Sequence, residues 1–249
     1  MNPTIDIVVL VHNSSHCLPR FLQGLLNGGH PDIKLIVVDN LSSESEKGIM
    51  KAQLFNFQTE NSKIEIHWID SGYNTPFHHC QRSPDPLTDA YGYSISIGLR
   101  AGKNPYVLAI NPDCFGDYEP NWLHIAIASY KAHEPAIGIM GAILLHSWGK
   151  VNHAGGVAQG IHIGRNGADI SEYNSMRRVK WVTGAWHFMS RKVLEEVGYY
   201  RNSKDWASDG QTCINAENLG YPCYCAPIRL YHNEGESSDK KRYKKNLNN

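Results

Sequence analysis

The chain has 249 residues, 41% of them hydrophobic, and balances 24 Lys plus Arg against 24 Asp plus Glu. That length builds one large domain or two small ones around an ordinary globular core. The charge balance excludes an overall field that would draw the protein to nucleic acid or anionic lipid. No stretch approaches the roughly 18 apolar residues of a membrane-spanning helix, and the start, MNPTID, lacks the charged-then-apolar layout of a signal peptide, so a cytoplasmic protein is expected. Its cysteines, Cys17, Cys80, Cys114, Cys213, Cys223 and Cys225, then meet a reducing milieu. They include no CxxC pair, and Cys223 and Cys225 would face one side of a strand without the two further ligands a zinc site needs.

IDIVVLV, Ile5 to Val11, is an almost unbroken β-branched run, the mark of a central parallel strand covered on both faces. After the polar turn HNSSH, the residues Leu18, Phe21, Leu22, Leu25 and Leu26 recur at helical spacing. Pro19 falls early enough for the first turn, and Gly28-Gly29 closes the pattern. KLIVVD, Lys34 to Asp39, is a second buried strand, which makes a right-handed βαβ unit. Ser43 with Glu46 resembles a capping box opening a helix. Ile64, Ile66 and Trp68 alternate as a third strand. The turn-rich SGYNTPFHHCQRSPDP precedes a helix near Leu87 to Ala101, and YVLAI, Tyr106 to Ile110, is a fourth strand. The sequence reads as an open α/β sheet to about residue 115. Beyond it come an apolar strand from Ile137 to Leu145, the glycine-rich HAGGVAQGIHIGRNG with Gly155-Gly156 read as a turn, a short helix at Lys192 to Val197 and another near Gln211 to Leu219. No compositional break divides the chain, so one domain is expected over 1–249: a nucleotide half to residue 115, a substrate half over 116–235, which the resemblance given below makes acceptor-binding, and a basic tail over 236–249. The tail's KKRYKKN reads as a solvated end, with weak contact to a membrane surface as the alternative.

Ligands of such sheets sit beyond the carboxyl ends of the strands. His12-Asn13, Asp39-Asn40, Asp70-Ser71 and Asn111-Pro112-Asp113 each follow a predicted strand directly, so four strand ends converge on polar residues. Neither GxxxxGK[ST] nor GxGxxG follows the first strand, which removes the commonest phosphate loops. A carboxylate such as Asp113 suits Mg2+ or Mn2+, which take one or two protein carboxylates and complete their shell with water and substrate phosphates. On spacing alone, Asp113 as a turn cap stays open beside the metal role.

Five segments taken together, HNS, VVDNLSSES, VLAINPDC, VTGAWHFMSRKVLEEVG and DGQTCINAENLGY, resemble a family 2 glycosyltransferase of the GT-A fold, most of all the rhamnosyltransferase-type enzymes of bacterial cell-surface polysaccharides. The likeness runs from about Ile5 to His232; each motif alone is weakly specific, and the ordered set is the signal. The resemblance implies an α/β fold with a Rossmann-like, mostly parallel sheet and helices on both faces, a nucleotide-diphosphate sugar donor and a Mn2+ or Mg2+ cofactor. It places His12 and Asn13 at the donor, Asp39 on the nucleoside base, Asn111 toward the ribose or sugar and Asp113 on the metal. Asn111 stands where the family's Asp-x-Asp motif has its first acid, which removes one charge. His232 matches a position that supplies a further metal or diphosphate contact in some members. Gly184, Ala185 and Trp186 match the segment lining the sugar and acceptor pocket, with Trp186 either stacking on a pyranose or packing in the core. Ser208-Asp209 stands where the family has Glu-Asp, which makes Asp209 the expected catalytic base, with a helix N-cap as its structural alternative. Asp205 and Glu217 come next.

The expectation is therefore a metal-dependent, inverting transfer of a sugar from a UDP- or dTDP-linked donor to a hydroxyl of a glycan or lipid-linked acceptor, in the cytoplasm or peripherally on the inner membrane face. The rivals are a non-catalytic nucleotide-sugar or sugar-binding protein and a sugar-nucleotide nucleotidyltransferase. The latter needs a basic glycine-rich loop after strand one, which HNSSHCLPR does not supply. His78 and His79 receive no role beyond loop or acceptor contact.

Overall fold

The computed structural model of the protein describes residues 4–30, 32–72, 90–165, 167–201 and 206–234. In chain order the elements are β1 (Ile5–Val11), α1 (Leu18–Asn27), β2 (Ile33–Asp39), α2 (Glu44–Glu60), β3 (Glu65–Asp70), α3 (Ala90–Ala101), β4 (Tyr106–Ile110), β5 (Cys114–Phe115), α4 (Trp122–Lys131), β6 (Met140–Leu145), β7 (Val151–His153), β8 (Gly156–Ala158), β9 (Ile161–His162), a 3-10 turn at Ile170–Glu172, β10 (Arg177–Val179), β11 (Trp186–Ser190), α5 (Arg191–Val197), α6 (Ser208–Asn218) and β12 (Cys223–His232). His78, His79, Asp205 and the KKRYKKN tail lie outside the described residues.

The β-branched run of β1 is buried on both sides because successive side chains of a strand point to opposite faces. Ile5, Ile7, Val9 and Val11 pack with Phe21 and Leu25 of α1 and Met50 and Leu54 of α2. Val8 and Leu10 pack on the other face with Ile95 and Leu99 of α3. The sheet runs β10-β12-β6-β11-β4-β1-β2-β3, with β5 on β12 and β7 on β6. Its β4-β1-β2-β3 half is parallel, and β11 enters antiparallel between β4 and β6. Helices thus cover both faces, as the alternating pattern predicts.

Details at the helix ends differ from the sequence expectation. Past α1, Gly28 stays right-handed and Gly29, at φ +69°, takes the left-handed position that glycine adopts without strain. At α2 the Ser43 hydroxyl accepts from Glu46 N as a cap does, but the reciprocal half of the expected box does not form. The Glu46 carboxylate instead accepts from Ser15 N, and Ser43 N donates to the Asn13 side chain. The cap therefore ties α2 to the exit of β1. Gly155, at φ +92°, makes the expected turn, but Gly156 opens β8, which pairs with β9 as a hairpin.

Candidate active site

The polar strand ends do gather at the carboxyl edge of the sheet. Asn40 N donates to Val11 O, and His12 Nδ1 lies 2.8 Å from Asn40 O. A carbonyl only accepts, so the His12 proton sits on Nδ1, and its Nε2 is left to accept from the Asn13 side-chain amide at 3.2 Å. Asn13 itself takes a left-handed backbone at φ +48°. Beside them the Asp39 carboxylate is buried, accepts from Ser42 N at 3.2 and 3.3 Å and lies 3.5 Å from Lys47 Nζ. Lys47 also reaches Asp70 at 3.3 Å and Glu44 at 3.2 Å, and those hydrogen bonds push its pKa up to about 12.

The second cluster is built by strand pairing that no local pattern reveals. Asn111 leaves β4, and three residues later β5 pairs with the end of β12, setting His232 opposite Cys114 and Tyr231 opposite Phe115. Asn233 N donating to Asp113 O at 3.1 Å continues the ladder. His232 Nε2 thereby lies 3.6 Å from Asp113 Oδ1, and the ligand atoms of Asp113, Cys114 and His232 all fall within 4.8 Å of one another. The sequence supplied Asp113 and His232 as separate candidates; Cys114 went unassigned, although its adjacency to Asp113 was visible. Burial holds its thiol well above the ordinary range, reinforced by the Asp113 charge, and the Sγ–H donates to Ala185 O at 3.3 Å. The set presented to a cation is therefore one hard carboxylate oxygen and one imidazole nitrogen beside a protonated thiol. A carboxylate plus an imidazole, with open positions left to water and phosphate oxygens, fits Mn2+ or Mg2+.

The third part is the turn 183–185, which β11 brings against the exit of β4: Asn111 N donates to Ala185 O at 3.0 Å. Gly184 N donates to Asp209 Oδ2 at 2.9 Å, Gly184 O accepts from the Tyr91 hydroxyl at 2.7 Å, and Thr183 N donates to His153 Nε2 at 3.2 Å. A Cβ on Gly184 would come within 2.9 Å of Asp209 Cβ and 3.2 Å of the Tyr91 ring, so glycine is what lets the three groups meet. Asp209 lies half-buried inside the first turn of α6; the N-cap is Ala207, so the capping alternative is corrected. Gly210 N donates to its Oδ1 at 2.7 Å, and the helix N-terminus favours its negative charge. Glu217 pairs instead with Arg178 of β10 from the last turn of the same helix. Trp186 is 1% exposed, edge-on to Trp122 and stacked on Phe188. Of the two roles open to it, packing in the core is the one observed, and stacking on a pyranose is withdrawn.

No protein-family model matches the chain. It is 24% identical over 248 residues to an uncharacterized protein of Sinorhizobium fredii, y4gI; the match covers 94% of this chain and 25% of that protein, so the chain spans a quarter of its curated relative's length. Among solved structures, the mannosyltransferase PcManGT from Pyrobaculum calidifontis, in complex with GDP-Man and Mn2+, is similar with a TM-score of 0.60 at 14% identity, over 93% of this chain and 57% of that one. Glucosyl-3-phosphoglycerate synthase from Mycobacterium tuberculosis, with Mn2+, UDP and glucosyl-3-phosphoglycerate, gives 0.57 at 11% identity, over 98% of this chain and 75% of that one. S. aureus TarS 1-349 gives 0.55 at 13% identity, over 94% of this chain and 61% of that one. The chain thus has the GT-A type of α/β fold found in the mannosyltransferase and the synthase. Among the described residues no helix is long and apolar enough to cross a membrane.

Proposed function

We propose that the chain transfers a glycosyl group from a nucleotide-diphosphate sugar to an acceptor hydroxyl, with a divalent cation held by Asp113 and His232. The observation that carries this reading is the β5–β12 pairing, which brings an imidazole to 3.6 Å from a buried carboxylate at the ligand-binding edge of the sheet. Support comes from the fold shared with a mannosyltransferase whose structure holds GDP-Man and Mn2+.

A bound divalent cation supplies positive charge against the negative charge a departing diphosphate develops. The chain's own residues do the rest. Asn111 directs its amide to the ribose or sugar, and the backbone at Gly184 and Ala185 lines the sugar pocket. His12 and Asn13 shape the donor side at the exit of β1. The Asp39 carboxylate accepts from the imide N–H of a uracil or thymine base. Asp209 takes the acceptor proton as that oxygen attacks the anomeric carbon on the face opposite the leaving group, which inverts the centre. The finer reading is a UDP- or dTDP-linked donor, with rhamnose among the candidate sugars, and a glycan or lipid-linked acceptor of cell-surface polysaccharide synthesis. The two-halved chain works as one domain at the cytoplasmic membrane face.

A panel of UDP-, dTDP- and GDP-sugars, run by thermal shift with and without Mn2+, tests the reading. A ligand that binds only the folded state must raise the melting temperature, so one nucleotide class should do so, and only with the metal. If none of the panel shifts the melt in Mn2+, the proposed donor site is wrong.

A further inference from the structure

The glycine-rich hairpin carries a cation that the site as described does not use. Gly167 N donates to Gly164 O at 3.1 Å, closing a tight turn whose two glycines lie at φ +81° and +80°. A Cβ on Gly164 would come within 2.5 Å of Val151 Cγ1, so Gly164 is seated against β7, and the Arg165 side chain that follows is open to solvent. One guanidinium nitrogen of Arg165 reaches both oxygens of Glu234, at 2.9 and 3.3 Å. Glu234 stands two residues past His232, the residue that faces Asp113.

We propose that Arg165 is the chain's own cation for the donor diphosphate, and that Glu234 is the partner it leaves when the nucleotide binds. The inference rests on the glycosyl-transfer reading and adds a residue to it. A carboxylate presents two oxygens to a guanidinium much as a phosphate does, so Glu234 stands in for the ligand the fork is shaped to hold. The pair is open to solvent, with side chains 45% and 54% exposed, so exchanging one anion for another meets little resistance.

Arg165 has a second partner on its other side: a guanidinium N–H only donates, so His162 Nε2 accepts from Arg165 Nη1 at 2.8 Å. Burial, with the Arg165 charge second, lowers the His162 pKa. Glu234 is the charged acceptor of the two, and the one an incoming anion replaces. A cation here also meets a need created by Asn111, which stands where the resemblance expects an acid and leaves the site with less charge to hold a metal tightly. In the transfer, the bond from the anomeric carbon to the diphosphate oxygen breaks, its electron pair stays on that oxygen, and the acceptor oxygen bonds to carbon as its proton passes to the base. The diphosphate gains one negative charge, which Arg165 receives through its N–H groups.

The test is calorimetry in Mn2+ with UDP, dTDP and GDP and with the matching monophosphates, on the wild type, Arg165→Ala, Arg165→Lys and Glu234→Gln. Diphosphate affinity should fall roughly 10- to 100-fold in Arg165→Ala, the range for a charge-assisted hydrogen bond, while monophosphate affinity stays unchanged. Arg165→Lys should fall between, and Glu234→Gln, which removes the competing anion, should bind diphosphate no more weakly than the wild type. Equal loss for mono- and diphosphate, no loss in Arg165→Ala, or a loss in Glu234→Gln matching that of Arg165→Ala would each overturn the proposal, the last by making the pair a structural clip. A wild type that binds no nucleoside diphosphate defeats the glycosyl-transfer reading itself, and the role of Arg165 falls with it.

Discussion

Two buried carboxylates sit at opposite edges of the same sheet and keep opposite company. Asp6, at the amino edge of β1, is fully buried and surrounded by donors: Arg191 at 2.7 Å, Asn104 N at 2.8 Å and the Asn104 side chain at 2.7 Å. Arg191 in turn donates to the carbonyls of Leu99 and Asn104, so the network closes on itself and locks the start of α5 to the sheet. Asp113, at the carboxyl edge, is as deeply buried but stands beside an imidazole and a thiol, groups that ligate rather than neutralise. On the proposed reading, the difference separates a charge buried to hold the fold from one buried to hold a metal.

Breaking each edge should therefore give different failures. The largest effect is expected at Asp209, whose replacement by Asn keeps its size but removes the basic lone pair. Turnover in a nucleotide-release assay should drop by roughly 10²- to 10⁴-fold, the usual worth of general-base catalysis, with donor affinity by calorimetry nearly unchanged. Survival within a few-fold would leave Asp209 as the positioner of Gly184 N alone.

At the amino edge, Arg191→Ala strands a buried charge and should destabilise by about 3–5 kcal/mol. Urea unfolding would show this, while nucleotide affinity of the folded fraction should stay as it was. A loss of binding without a loss of stability would blur the distinction between the edges. A smaller, selective effect is expected at Asp39, because cytosine lacks the imide N–H. Asp39→Ala should weaken UDP by on the order of 10- to 100-fold and CDP far less. Equal weakening of both would assign Asp39 to its contacts with Ser42 N and Lys47.

The smallest effect is a pH slope. Burial, with His162 second, holds His153 well below the usual imidazole range, so the folded state keeps it neutral. The unfolded chain takes up its proton as pH falls through about 6.5, so stability is fully present above that pH and declines below it, by at most about 1.4 kcal/mol per unit for one histidine. Urea midpoints at pH 7 and 5.5 should converge in His153→Gln relative to the wild type; an unchanged difference would remove His153 as the cause.

The two halves also differed in how far the sequence could be read. β1, β2 and β4 announced themselves because a strand covered on both faces must be apolar at every position, and their polar exits followed directly. β5 is two residues long and β11 enters antiparallel, so neither carries a local signature. Their places are fixed by pairing with β12 and β4, contacts distant in sequence. That is why Asp113 and His232 could be named as separate candidates while Cys114, Tyr91 and the His153–His162 contact were not foreseen. The Glu46 half of the capping box failed for a related reason: Ser15 and Asn13, 31 and 30 residues from their partners Glu46 and Ser43, offered better partners than the local reciprocal bond. Trp186 could be read as pocket or core until Trp122 and Phe188 were found on it.

The most direct test of the central claim is calorimetric titration of Mn2+ together with the best-binding nucleoside diphosphate into the wild type and Asp113→Ala, repeated in excess EDTA. The account predicts that the mutation and the chelator remove the same metal-dependent part of the affinity, and that thermal unfolding shows Asp113→Ala still folded. Diphosphate binding that is undiminished in both the mutant and EDTA would contradict it, and Asp113 would then be a turn residue buried beside His232.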